Sequence, residues 1–136
     1  MQIDGGLRSL FRKRLPQFDW TSIETGGTGR GIPDSNYCID GVEGWIEFKR
    51  TLHWTAGLRP EQVGWMMRRT RHGGRCFIAI RRKTVSKGVP VDQLWLYSGR
   101  DAQALHANGM RAVEPLALYN DAWNWPEIAG ILCNIS

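Results

Sequence analysis

Asp34, Glu47 and Lys49 are the residues of this chain whose types and spacing suit chemistry. They lie in the run Gly31 to Arg50, which reads as two short strands joined at Asp40-Gly41. Asp-Gly between apolar residues, here Ile39 and Val42, signals a two-residue hairpin loop. That loop predicts cross-strand partners whose residue numbers sum to 81, so Ile39 faces Val42, Tyr37 faces Gly44 and Asp34 lies opposite Glu47. Successive strand side chains point to opposite faces. Ile46 and Phe48 therefore share a core face with Ser35, Tyr37 and Ile39, while Trp45, Glu47 and Lys49 share the other with Asp34.

Two carboxylates directly opposite on a sheet repel each other at a Cβ separation of about 4.5–5.5 Å. A hard divalent cation held between them removes that penalty. Mg²⁺ takes one or two carboxylates plus water and substrate phosphate, which suits so sparse a ligand set. The backbone carbonyl of Phe48, between Glu47 and Lys49, offers a further oxygen. Lys49 would orient or help deprotonate the attacking water and counter charge developing on phosphate oxygens. The chemistry implied is metal-assisted hydrolysis of a phosphodiester, with Mg²⁺ or Mn²⁺ as cofactor. The plainer alternative is a solvated ladder with an ordinary cross-strand ion pair.

These residues carry a resemblance. Pro33-Asp34 followed by Glu47-Phe48-Lys49 resembles the signature of the PD-(D/E)xK nuclease superfamily. Gly31-Ile32-Pro33-Asp34 with the later Leu58 and Gln62 is similar, more narrowly, to its VRR-NUC branch and related phage-type Holliday-junction resolvases. The resemblance covers about Asp4 to Arg82. It implies a restriction-endonuclease-like core, αβββαβ, and an endonuclease acting on branched DNA such as a four-way junction. Two symmetric cuts require two sites, so that substrate implies a homodimer. It also gives Gln62 a role: its amide both donates and accepts, and could hold Lys49 or the attacking water. Many relatives add a Glu on the first helix; this chain has no Glu before Glu24, and Asp4 or Glu24 would have to substitute. The alternatives are a nuclease on linear or single-stranded DNA, and a nucleic-acid-binding module that does not cleave.

The rest of the chain must position these groups. Its 136 residues with 42% hydrophobic content make one domain, with the core at about residues 4–83 and an extension at about 89–136. A net charge of +5 favours nucleic acid as partner. Cys38, Cys76 and Cys133 are odd in number and widely spaced, against a disulfide framework or a zinc site. The expected location is intracellular, with a phage or mobile element as source: no signal peptide is read, because Arg8, Arg12, Lys13 and Arg14 break Leu7 to Leu15, and no run is long enough to span a membrane.

In chain order, Asp4 to Phe18 predicts an amphipathic helix with Asp4 as N-cap, stopping near Leu15 because of Pro16. Its Arg8, Arg12, Lys13 and Arg14 are solvated or contact phosphate. Trp20 to Thr25 predicts a strand, and the glycine-rich loop to Gly31 is a plain turn or a phosphate cradle, with Arg30 a candidate phosphate contact. Thr51 to Arg59 reads as a loop placing His53 and Trp54 near the site. Pro60 opens a helix to about His72, with Gly64 placed for close packing on the sheet. Cys76 to Ile80 predicts a buried central strand. No acid occurs from Val63 to Val91, and Arg68, Arg69, Arg71, Arg75, Arg81, Arg82 and Lys83 there, with Arg50, are assigned to the DNA backbone. Val89 to Ser98 predicts a strand, Gly99 to Asn108 a helix with Ala102, Ala104 and Leu105 inward, and Val113 to Leu118 an edge strand. Asp121 to Leu132 predicts a last helix whose Ile131 and Leu132, with Ile135, form core or a dimer surface. The expected fold is α/β, with an antiparallel hairpin and a parallel helix-connected strand in one mixed sheet flanked by helices.

Overall fold

The computed structural model describes residues 4–23 and 31–134. Helix α1 spans Leu7–Arg14, followed by strands β1 (Asp19–Ser22), β2 (Ser35–Ile39) and β3 (Val42–Thr51). Helix α2 (Pro60–Arg71) leads to β4 (Cys76–Ser86) and β5 (Val89–Ser98). A single 3₁₀ turn then opens α3 (Ala102–Asn108), and β6 (Ala117–Tyr119) and α4 (Trp125–Asn134) complete the chain. The fold is the expected α/β arrangement, a mixed six-stranded sheet in sequential order with helices on both faces. Every neighbouring pair is antiparallel except β3 and β4, which the α2 crossover makes parallel.

The hairpin has the predicted register: Ile39 pairs with Val42, Tyr37 with Gly44 and Ser35 with Ile46. Asp40 and Gly41 both take positive φ, 50° and 79°, the pattern of a two-residue type I′ loop. Gly44 is required where it sits, because a Cβ there would lie 2.3 Å from the Tyr37 ring.

Both faces of the sheet are core, whereas sequence alternation identified one. On the first face Leu7 and Phe11 of α1, Leu15 just after it, and Ile128, Ile131 and Leu132 of α4 pack on Tyr37, Ile46, Phe48, Phe77 and Leu96. Ile131 and Leu132 are therefore interior, which removes them from any dimer surface; Ile135 lies outside the described residues. On the second face Val63, Trp65 and Met66 of α2 and Leu105 of α3 pack on Ile78, Ile80, Trp95 and Tyr97. Strand β4 contributes to both, Phe77 and Ala79 to one and Ile78 and Ile80 to the other, which is why its sequence is continuously apolar.

Three local expectations change. Ala104 is exposed, since only Ala102 and Leu105 of α3 face the sheet. Gly64 has open space around its Cβ position and permits no close contact. Trp65 takes the packing role instead, edge-on to Trp45 at 5.3 Å. No described helix is long and apolar enough to cross a membrane.

Candidate active site

Asp34, one residue before β2, and Glu47, in the middle of β3, are brought together by the hairpin register. The Asp34 backbone N–H donates to Glu47 Oε1 at 3.1 Å, and the Phe48 N–H donates to Asp34 Oδ2 at 3.3 Å. Each carboxylate is thus held by the other strand's backbone. Lys49, next on the same face as Glu47, places its Nζ 3.2 Å from Glu47 Oε2. Asp34, Glu47, Phe48, Lys49 and Gln62 line one open cleft of about 570 Å³.

Gln62 enters from α2. Its Nε2 donates to Glu47 Oε2 at 3.1 Å, while its Oε1 accepts the Arg59 backbone N–H at 2.9 Å. The amide orientation follows from both bonds at once. Gln62 therefore fixes Glu47, and among the described residues it makes no bond to Lys49. It is 4% exposed although it opens a helix, because the loop before Asp34 presses on that helix start. A Cβ on Gly31, whose φ is +82°, would sit 2.1 Å from the Glu61 carbonyl oxygen. Gly31 thus lets the Ile32-Pro33-Asp34 segment dock on α2.

The electrostatics are those of an anion pair short of positive charge. Burial, then the adjacent Glu47 carboxylate, push the Asp34 carboxyl up to about 7. Burial likewise raises the Glu47 carboxyl against the pull of Lys49. Glu47 is 5% exposed, and Asp34 Oδ1 is buried with no well-formed hydrogen bond among the described residues; the adjacent Ser35 hydroxyl, itself buried and unpaired, eases the Asp34 charge only in part. A buried carboxylate oxygen left bare is costly unless something fills its lone pairs. A hard cation coordinated by Asp34, Glu47 and a backbone carbonyl fits that donor set. Among the described residues no third His, Cys, Asp or Glu joins the pair in a metal-binding group. Asp4 stands on the cleft wall, but it is not the expected N-cap: α1 starts at Leu7 behind Gly6, and the Asp4 carboxylate is taken up by the Gly6 and Arg8 N–H groups at that helix start. Glu24, the other candidate acid, lies outside the described residues, as does Arg30.

The cations lining the cleft are Arg8, Lys49 and Arg59. Sequence reasoning gave Arg8 no preference over its helix neighbours and missed Arg59. The available signal for Arg59 was its place three residues before Gln62, at a helix start marked by Pro60. None of the other described arginines and lysines assigned to DNA lines the cleft. Arg68, Arg69 and Arg71 occupy the last turn of α2, the end away from Gln62, where Arg69 stacks on Trp65 at 4.5 Å and on Trp45 at 5.5 Å. Arg75 precedes β4 at the same end, half-buried with its Nε unpaired among the described residues. Arg81 is committed to structure: it grips Asp92 through two bonds of 2.9 and 2.7 Å and donates to the Gly5 carbonyl. Arg82 donates to the His53 carbonyl and covers the Trp54 ring at 3.8 Å, so it braces the 52–59 loop. His53, Arg50 and Lys83 are exposed. Compared with known proteins, the chain matches no family model and none of the curated proteins.

Proposed function

We propose that this cleft binds a divalent cation, Mg²⁺ or Mn²⁺, and hydrolyses phosphodiester bonds of DNA as an endonuclease of the PD-(D/E)xK type. The observation that carries this reading is the buried Asp34–Glu47 pair, with one bare carboxylate oxygen, next to the Lys49 ammonium. Asp34, Glu47 and the Phe48 carbonyl would hold the cation, which when bound supplies charge neutralisation and Lewis-acid polarisation of a phosphoryl oxygen.

The protein's own groups have distinct tasks. The Asp34 N–H and the Gln62 amide each take one oxygen of Glu47 and fix the plane of its carboxylate. Lys49, tethered by Glu47, is the group that positions the attacking water and offers positive charge to the phosphate in the transition state. Arg8 and Arg59 flank the opening and steer the phosphate into it. The resemblance to VRR-NUC domains and phage-type resolvases favours branched DNA as substrate and a homodimer as the working form.

Incubation of the protein with a labelled four-way junction, a linear duplex and a single strand, each with Mg²⁺, Mn²⁺ or chelator, tests the reading. Cutting of the junction in metal and none in chelator is expected, with Lys49→Ala binding DNA but not cutting it. Survival of all three substrates in both metals at micromolar protein overturns it. Binding without cutting would then identify a non-cleaving DNA-binding module, the reading that the lack of a third acid among the described residues favours.

A further inference from the structure

Strands β4 and β5 run on together past the rest of the sheet. The last β3–β4 pair is Thr51 with Arg82, and β6 reaches back only to Leu94, yet the β4–β5 ladder continues from Lys83–Asp92 to Ser86–Val89. Four residue pairs at ~3.3 Å each make an arm of about 13 Å. Its tip is the turn Lys87-Gly88, both at positive φ. Both faces are open: Val85 is 65% exposed and Val89 61%.

A bare two-stranded ribbon is only marginally stable in water and carries edges that invite pairing with another chain. Here the outer edge of β5 is blunted. Val85 and Pro90 form the pair next to the one that closes the turn, so their backbone N–H positions point outward; at Pro90 there is no N–H to offer. That edge of the arm is therefore a poor template for a second copy. Its charge is of one sign. Arg82, Lys83 and Lys87 form no ion pair among the described residues, and Asp92 at its base is already neutralised by Arg81. Arg111 adds a fourth unpaired cation beside Arg82, both packed on Trp54. The groove holding Trp54 meets the catalytic cleft at Gly57, which lines both.

We propose that the Lys83–Asp92 ribbon is a DNA-binding arm that enters the major groove of a duplex leaving the cleft. A two-stranded ribbon fits that groove, about 12 Å wide in B-form DNA, whereas the deep, narrow major groove of an RNA duplex excludes it. Lys83 and Lys87 reach the flanking phosphates, and Val85 and Val89 give apolar contact inside the groove. This rests on the reading of the cleft as a DNA site, but its test needs no cleavage.

Binding to a duplex is measured in chelator across a salt series for wild type, for Lys83→Ala/Lys87→Ala, and for an arm shortened by removing residues 85–86 and 89–90 so that Thr84 and Val91 flank the original turn. The expected result is about tenfold weaker binding for the double variant, with the salt slope reduced by about 2. The shortened arm, which keeps both lysines but loses Val85 and Val89 and draws Lys87 back toward the sheet, should also bind more weakly, and duplex RNA should compete poorly with duplex DNA. Unchanged thermal midpoints establish that both variants fold. Affinity equal to wild type in either folded variant, or a salt slope equal to wild type in the lysine variant, overturns the proposal, whatever the cleavage assays show. Equal competition by duplex RNA also overturns it.

Discussion

Asp34 is held in the state that costs the folded chain most at neutral pH: buried, opposite another carboxylate and bare on one oxygen. Its carboxyl titrates at about 7 in place of 3.8, so between those values the native protein keeps a proton that the unfolded chain has released. Stability without metal therefore falls as pH rises through that window and is lowest above 7. Asp34→Asn removes the charge while retaining an acceptor for the Phe48 N–H. Urea unfolding in chelator at pH 8 should show the variant more stable by about 1–3 kcal/mol, with the two nearly equal near pH 4. Mn²⁺ should raise the midpoint of wild type at pH 8 and leave the variant unmoved; a variant less stable than wild type at pH 8 would mean that Asp34 is not strained. Gln62 belongs to the same scale. Gln62→Ala frees Glu47 and the Arg59 N–H, at a cost of about 1 kcal/mol in unfolding measurements. On the proposed nuclease reading, where Glu47 would hold the cation, cleavage should drop ~10–100-fold on loss of the group that orients it.

At the scale of elements, the two glycines that bear on α2 separate positioning from accident. Gly31→Ala drives a methyl group into the Glu61 carbonyl at a backbone angle that alanine resists, and it should cost at least ~2 kcal/mol. The stabilisation by Mn²⁺ should shrink with it, because Asp34 is carried by the displaced segment. Gly64→Ala meets nothing, and it should stabilise the protein by about 0.5–1 kcal/mol in the same thermal or urea assay. The contrast shows where sequence was legible. The Asp40-Gly41 turn fixes the register by local chemistry, and from it alone Asp34 and Glu47 could be set opposite each other. Cys76 to Ile80 was legible as a central strand because both its faces are apolar. Gly64 and Arg59 were not, since the helix periodicity says nothing of what faces a position across space. Trp45 and Trp65 were missed for the same reason: their mutual packing makes a second core face from residues that alternation assigns to solvent. The strand expected from Trp20 to Thr25 runs Asp19–Ser22, with Ile23 already outside it and residues 24 and 25 outside the described residues.

At the scale of the molecule, positive charge is not spread as its density along the chain implies. Eight of the 18 basic residues fall between Arg68 and Lys87, yet the cleft is lined by Arg8, Lys49 and Arg59 from outside that stretch. The helix α2 explains the difference: it presents Gln62 to the site at its first turn and sends Arg68 and Arg71 to the opposite end of the sheet. Arg59 pairs with Glu61 at 3.4 Å, but both are exposed, so that contact adds little and yields to a phosphate. DNA binding measured in chelator should therefore respond unequally to two double substitutions of the same charge. Arg8→Ala/Arg59→Ala should weaken binding about tenfold or more and lower the salt slope by about 2, while Arg68→Ala/Arg71→Ala should change the slope by less than about 1. Both pairs remove the same net charge, so a long-range field effect would move them alike and only local contact separates them. Equal losses would mean that the pairs act only through the overall field, and a larger loss for Arg68→Ala/Arg71→Ala would place the DNA along α2 and not across the Asp34–Glu47 cleft.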